Sequence, residues 1–218
     1  MQILVCNDDG VESPLIKILA DKLRKYGTVL VCCPDGERSA SSQAITFREH
    51  YVSNLKDLGV IDGVRYMSHP HFPTDSLRYV LHFTNFKPDL VVSGINKGLN
   101  VGIDVYYSGT VGIVTEALVQ GIEGFAISID RNYKDEDLKF LDSIIDKIIK
   151  EHLYSKDYIL NVNLPIGQDK LMYKVSSLGI DNGKDSDILA IKDGFVTFTP
   201  LVVNRTDNKG LKLLKTKI

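Results

Sequence analysis

The sequence predicts an α/β fold: a doubly wound, mainly parallel sheet with helices on both faces and a β-rich appendage at the carboxyl end. Three observations lead there. Short apolar runs such as Ile3–Cys6 and Leu90–Val92 carry no polar break, as strands buried on both faces do. Segments with helical spacing of apolar residues separate them. Polar, glycine-containing loops follow the runs, where such sheets keep their ligand crevice.

The elements follow in order. Ile3, Leu4, Val5 and Cys6 form the first strand, which ends in Asn7-Asp8-Asp9-Gly10. Leu15, Ile16, Leu19, Ala20 and Leu23 recur as one helix face, with Lys17, Asp21, Lys22 and Arg24 opposite and Gly27 at the end. Thr28–Cys33 is a second strand, stopped by Pro34-Asp35-Gly36. Strand, helix and strand in so few residues make a βαβ unit with a right-handed crossover. A polar loop over 34–44 contains Arg38, Ser39, Ser41 and Ser42. Ala44–Val52 alternates as a strand does, and Val60–Ser68 reads as a hairpin around Asp62-Gly63. Thr74 is placed as the N-cap of a helix carrying Leu77, Val80 and Leu81.

Leu90-Val91-Val92 then runs into Ser93-Gly94-Ile95-Asn96-Lys97-Gly98. Ser108-Gly109-Thr110 opens a helix to about Val119, and Gly124–Asp130 is the next strand. Glu136–Lys150 is amphipathic, with Leu138, Leu141, Ile145, Ile148 and Ile149 on one side. Tyr158–Leu164 is a strand stopped by Pro165. This order gives a Rossmann-like core over residues 1–165. Residues 166–218 read as a β-rich extension of the same domain, with strands at Met172–Leu178, Asp187–Ile191 and Phe195–Val203. The basic tail Lys209–Ile218 is expected as a solvated end or as an arm docking on another subunit.

Composition narrows the function. The 218 residues carry a net charge of −2, with 25% charged side chains. That balance argues against a nucleic-acid polymer as partner. No apolar run is long enough to span a bilayer, and no signal peptide is expected. Three cysteines make no disulfide framework, so a cytoplasmic setting is expected.

The chemistry is expected at the strand ends. Two carboxylates about 4 Å apart repel by roughly 4 kcal/mol at an effective dielectric near 20, and a hard divalent cation relieves this. Asp8 and Asp9 follow the first strand, Ser39 the second and Asn96 the strand at Leu90. If those strands are neighbours, carboxylate, hydroxyl and amide oxygens meet in a set suited to one Mg²⁺ or Mn²⁺. Ser108, Gly109 and Thr110 sit where a helix begins, a place for an anion. A metal beside an anion cradle points to a phosphate substrate. His69 and His71 lack the companions of a zinc site and read as structural. Tyr106 and Tyr107 either stack on a base or pack.

Taken together, Asn7-Asp8-Asp9-Gly10-Val11, Pro34-Asp35 with Arg38-Ser39, Pro73-Thr74-Asp75, Val92-Ser93-Gly94-Ile95-Asn96 and Tyr107-Ser108-Gly109-Thr110-Val111 resemble the SurE (survival protein E) family in order and spacing. Gly194-Phe195-Val196 and Thr199-Pro200-Leu201 extend the likeness. The resemblance implies a divalent-metal-dependent phosphatase of nucleoside 5′- and 3′-monophosphates, with some activity on short polyphosphate. It implies metal ligands at Asp8, Asp9, Ser39 and Asn96, and phosphate contacts at Ser108, Gly109 and Thr110. Asp8 or Asp9 would activate water. It further implies a homodimer or homotetramer with an exchanged C-terminal arm. Ala40 stands where the family often has Gly, Gln43 where it often has Asn or His, and the chain is short after Pro165.

Two other classes compete on sequence. Cys32 and Arg38 have the Cys-x5-Arg spacing of cysteine phosphatases, yet Cys32 ends an apolar strand. The other class is a non-catalytic module. A receiver-like domain would also carry an acidic pair but would need an aspartate where the Leu90 strand runs into Ser93-Gly94 instead. A nucleotide-binding module without turnover would bind AMP and release no phosphate.

Overall fold

The computed structural model describes residues 1–47, 54–180 and 183–218. Among these residues nine strands form one sheet: β1 (Gln2–Cys6), β2 (Thr28–Pro34), β3 (Lys56–Ile61), β4 (Val64–His69), β5 (Leu90–Lys97), β6 (Glu123–Ile129), β7 (Ile159–Leu164), β8 (Tyr173–Val175) and β9 (Val196–Leu201). Their order is β3-β4-β2-β1-β5-β6-β7-β9-β8. The six strands from β4 to β7 are mutually parallel. β3 closes one edge as the antiparallel arm of the expected hairpin, turning at Asp62 (φ 49°) and Gly63 (φ 80°). β9 runs antiparallel to β7, and β8 pairs with β9.

Among the described residues six α-helices accompany the sheet: α1 (Pro14–Leu23), α2 (Asp75–Phe83), α3 (Gly109–Val119), α4 (Leu141–Lys150), α5 (Asp187–Lys192) and α6 (Asn208–Lys215). Alternate strand residues face two cores. Ile3, Val5, Val31 and Ile127 pack with Leu19 of α1 and Ile145 of α4. Leu4, Cys6, Cys32 and Val91 pack with Leu77 of α2 and Ile113 of α3 on the other side. That is the two-faced layering the sequence predicts.

β1 lies between β2 and β5, so the chain winds outward from β1 in both directions. This reversal creates the crevice at the carboxyl ends of β1 and β5. The connection from β6 to β7 differs from the other crossovers. Both α3 and α4 link a strand to its neighbour in the same direction, yet they lie on opposite faces. The α4 crossover therefore has the opposite hand to those through α1, α2 and α3. Most parallel crossovers share one hand. Here the α4 face is fixed by burial of Leu141, Ile144, Ile145 and Ile148, and by Lys22 donating to Asp142 across 2.6 Å.

Several elements depart from expectation. Asp187–Ile191 is not a strand but the start of α5. Ser186 caps it, accepting from the Leu189 N–H, and a hydroxyl cap opens a helix where a short apolar run alone is ambiguous. Residues 44–47 are not a strand: the Thr46 N–H and hydroxyl both donate to Asp75, which takes that backbone out of any ladder. The rest of that expected strand, 48–52, lies outside the described residues. Thr74 makes no side-chain cap and its backbone is already helical. The tail is helical as α6, with Asp207 as its cap.

Candidate active site

Six of the seven sequence-predicted site residues are drawn together where β1, β5 and α3 converge. Asp8 follows β1 and is buried at 4% exposure. Its carboxylate accepts the Thr110 hydroxyl proton. Burial pushes its carboxyl upward, opposed by that bond and by the Gly109 and Thr110 N–H groups. Gly109 permits this contact. A Cβ there would stand 2.9 Å from Asp8 Oδ2 and 2.7 Å from Ser41 Oγ, closer than real side chains approach. The first turn of α3 thus presses its N–H groups onto the carboxylate, at the positive end of the helix.

Asp9 is half-buried, and its Oδ2 accepts the Lys97 N–H at 3.3 Å. Burial and the neighbouring Asp8 charge raise its carboxyl to about 6. Among the described residues, no Lys or Arg forms an ion pair with Asp8 or Asp9. Two adjacent, desolvated carboxylates without a cation are what a bound divalent ion would complete.

Asn96 reaches the crevice through an irregular strand. The β5–β6 register shifts between Ser93 and Asn96, and such bulges re-aim side chains. Gly94 makes the bulge possible, with φ +134° and no room for a Cβ against the Ile127 carbonyl. The Asn96 amide nitrogen donates to Gly98 O at 2.6 Å, so its oxygen is the end left to bind a cation.

Ser39 is brought less close. It is exposed on the loop after β2, and its hydroxyl donates to Glu37 Oε1 at 2.8 Å. The loop is nevertheless tied over the site, because the Arg38 N–H donates to the Asp8 carbonyl at 2.7 Å. Ser108 caps α3, its Oγ accepting from the Val111 N–H at 3.0 Å.

Three further residues hold the site and were not singled out from sequence. Asn7, fully buried, accepts the Gly10 N–H at 3.0 Å and donates to Gly10 O at 3.1 Å, clamping the turn that carries both aspartates. An Asn opening a short turn that ends in Gly is the signal that could have marked it. Asn100 is tied on three sides: its N–H to Asn163 Oδ1, its amide to Ser128 Oγ, and its carbonyl to Asn161 and Asn163. Asp187 accepts the Gly102, Gly179 and Ile188 N–H groups and so joins the loop after β5 to the C-terminal extension.

The competing motifs have no active geometry. Cys32 is fully buried in β2, with its thiol pushed up by burial. His69 stacks on Tyr79 with centroids 4.8 Å apart, contacts Ser76 Oγ, and is lowered to about 3 by burial. Among the described residues no three His, Cys, Asp or Glu side chains cluster to hold a metal. A two-carboxylate set completed by amide and hydroxyl oxygens is a different class.

The family model described as Survival protein SurE matches residues 3–185. The chain belongs to the SurE family. The 5′-nucleotidase SurE of Caldanaerobacter subterraneus is 32% identical, covering 97% of this chain and 95% of that protein. The 5′/3′-nucleotidase SurE of Wigglesworthia glossinidia brevipalpis is 34% identical, covering 96% and 94%. The crystal structure of SurE protein from Aquifex aeolicus matches with a TM-score of 0.83 and 29% identity, over 100% of this chain and 99% of that one. SurE membership, read first from ordered motifs, is thereby established over nearly the whole chain.

Proposed function

We propose that the protein is a divalent-metal-dependent phosphatase that hydrolyses nucleoside 5′-monophosphates, and 3′-monophosphates as well, to nucleoside and phosphate. The observation that carries this is the adjacent, desolvated Asp8–Asp9 pair under the first turn of α3, which has no ion-pair partner among the described residues. The names of the SurE relatives, 5′-nucleotidase and 5′/3′-nucleotidase, support the substrate class. An open groove of about 510 Å³ begins at Ser108 and runs past Tyr106, Gln43 and Arg205. Its size is that of a small-molecule site, which suits the nucleoside beyond the phosphate.

Asp8, Asp9, Asn96 and Ser39 would hold one Mg²⁺ or Mn²⁺ per subunit, Ser39 after its hydroxyl leaves Glu37. When bound, the cation neutralises phosphoryl oxygens and acidifies water. The chain's own groups do the rest. Thr110 fixes the Asp8 carboxylate, and the Gly109 and Thr110 N–H groups hold that carboxylate against the first turn of α3. Asp9, the more exposed aspartate, orients or deprotonates the attacking water. Ser108 and Gly109 keep the first turn of α3 in place to receive the phosphoryl oxygens.

No helix among the described residues is long and apolar enough to cross a membrane. We further propose a homo-oligomer built through α6, which exposes Leu211, Leu213 and Leu214 along one short helix. Light scattering before and after deletion of 207–218 tests this, and an unchanged mass would refute it.

The test of function is phosphate release from AMP and 3′-AMP with Mn²⁺, Mg²⁺ or EDTA. Metal-dependent release lost in Asp8→Asn and Asn96→Ala is expected. Full activity in EDTA, or in either variant, would overturn the assignment.

A further inference from the structure

The loop after β2 lies against the start of α3 and is pinned at several points. The Ser42 N–H donates to Tyr107 O at 2.9 Å, the Ser42 hydroxyl to Tyr106 O at 2.8 Å, and the Ala44 N–H to Ser41 O at 3.0 Å. One group in this arrangement is left over. Ser41 Oγ is shielded from solvent and, among the described residues, has no hydrogen-bond partner. Buried hydroxyls are nearly always paired, so an orphan needs a reason. Its place supplies one. Ser41 Oγ lies 2.7 Å from the point where a Gly109 Cβ would be, and Asp8 Oδ2 lies 2.9 Å from the same point. The hydroxyl therefore sits beside the carboxylate and the first N–H groups of α3, with a proton to donate and nothing to receive it.

Resting on the phosphatase reading above, we infer that Ser41 is a substrate-binding residue whose hydroxyl donates to a non-bridging phosphoryl oxygen held at the start of α3. Its partner is the ligand. The rigid clamps on Ser42 and Ala44 hold the donor ready, so binding a phosphate requires no rearrangement of the loop. The contact is to a charged group, and such hydrogen bonds are the stronger kind.

Ser41→Ala tests this, measured beside wild type and Ser42→Ala. Inorganic phosphate is titrated calorimetrically into the Mg²⁺-loaded proteins, and AMP turnover is followed in parallel. For Ser41→Ala, phosphate affinity and kcat/KM for AMP are each expected to fall about tenfold to a hundredfold. Its melting temperature without metal should stay level or rise, because an unpaired buried hydroxyl has been removed. Ser42→Ala removes only the hydroxyl bond to Tyr106 O; the backbone clamps of Ser42 and Ala44 and the Ser41 donor remain, so phosphate affinity should stay within about threefold of wild type. Unchanged phosphate affinity in Ser41→Ala, or an equal loss in Ser42→Ala, would overturn the inference while the nucleotidase reading stands. If wild type hydrolyses no monophosphate, the nucleotidase reading fails. A phosphate affinity still weakened in Ser41→Ala alone would then keep Ser41 as an anion-binding residue.

Discussion

Replacing Asp9 by asparagine isolates the electrostatic strain that the site carries without metal. The Asp9 carboxyl sits at about 6 in the folded protein, against about 3.9 in an unfolded chain. Roughly two units at 1.36 kcal/mol each give close to 3 kcal/mol, which partial exposure and screening reduce to about 1–2 kcal/mol. The sign follows from proton linkage. The folded state holds this proton more tightly than the unfolded chain, so stability is lost as pH rises from about 4 through about 6, and stays lost above. The substituted amide keeps the size of the side chain and can still accept the Lys97 N–H, but it cannot ionise. In EDTA at pH 7.5 the Asp9→Asn protein should therefore melt about 2–8 °C above wild type, given about 2–4 °C per kcal/mol at this chain length. At pH 4 the two should coincide. Saturating Mn²⁺ should reverse the order at pH 7.5, because ligand binding stabilises only the protein that retains the site. A variant less stable than wild type in EDTA at both pH values would refute the reasoning.

Gly109→Ala puts a methyl within 2.9 Å of Asp8 Oδ2; overpacking of about 1–3 kcal/mol and at least a hundredfold loss of AMP hydrolysis are expected, read by melting and steady-state kinetics. Asp187→Ala strips the acceptor from three N–H groups and should cost about 3–5 kcal/mol in urea unfolding. Ala40 holds a left-handed backbone at φ 57°, a conformation that is strained for any residue with a Cβ. Ala40→Gly should raise stability by up to about 1 kcal/mol in the same assay, the relief being partly offset by the freer unfolded chain.

The sequence made the frame of the site legible because its signals are local. An unbroken apolar run that stops at Asp8-Asp9, and another that stops at Ser93–Asn96, mark strand ends wherever they occur. Adjacency of β1 and β5 was needed to join them, and the strand order provides it. What escaped was set by partners distant in the chain. The face taken by α4, and hence the unusual hand of its crossover, depends on packing against α1. Residues 44–47 lost their strand to Asp75, a partner 29 positions after Thr46. Asp187–Ile191 carries a short apolar run that fits a strand or a helix, and the Ser186 hydroxyl cap marks it as a helix. The resemblance puts Thr110 beside phosphate; the structure adds that its hydroxyl is engaged by Asp8, a contact across 102 positions that no local signal marks. Ala40 illustrates the reverse: its place in the loop after β2 is visible in the sequence, but its left-handed backbone is not.

The Asp187 clamp carries a consequence for how occupancy of the site is felt elsewhere. One carboxylate holds the Gly102 amide, in the loop that follows Asn96, and the Gly179 amide, in the extension. Opening either segment breaks the same anchor, so the two should exchange their amide hydrogens as a single cooperative unit. A ligand that steadies the Asn96 loop would then slow exchange at Gly179, a position with no part in binding it. The extension thereby becomes a remote reporter of the catalytic crevice, and its amides a place to watch occupancy without touching the chemistry.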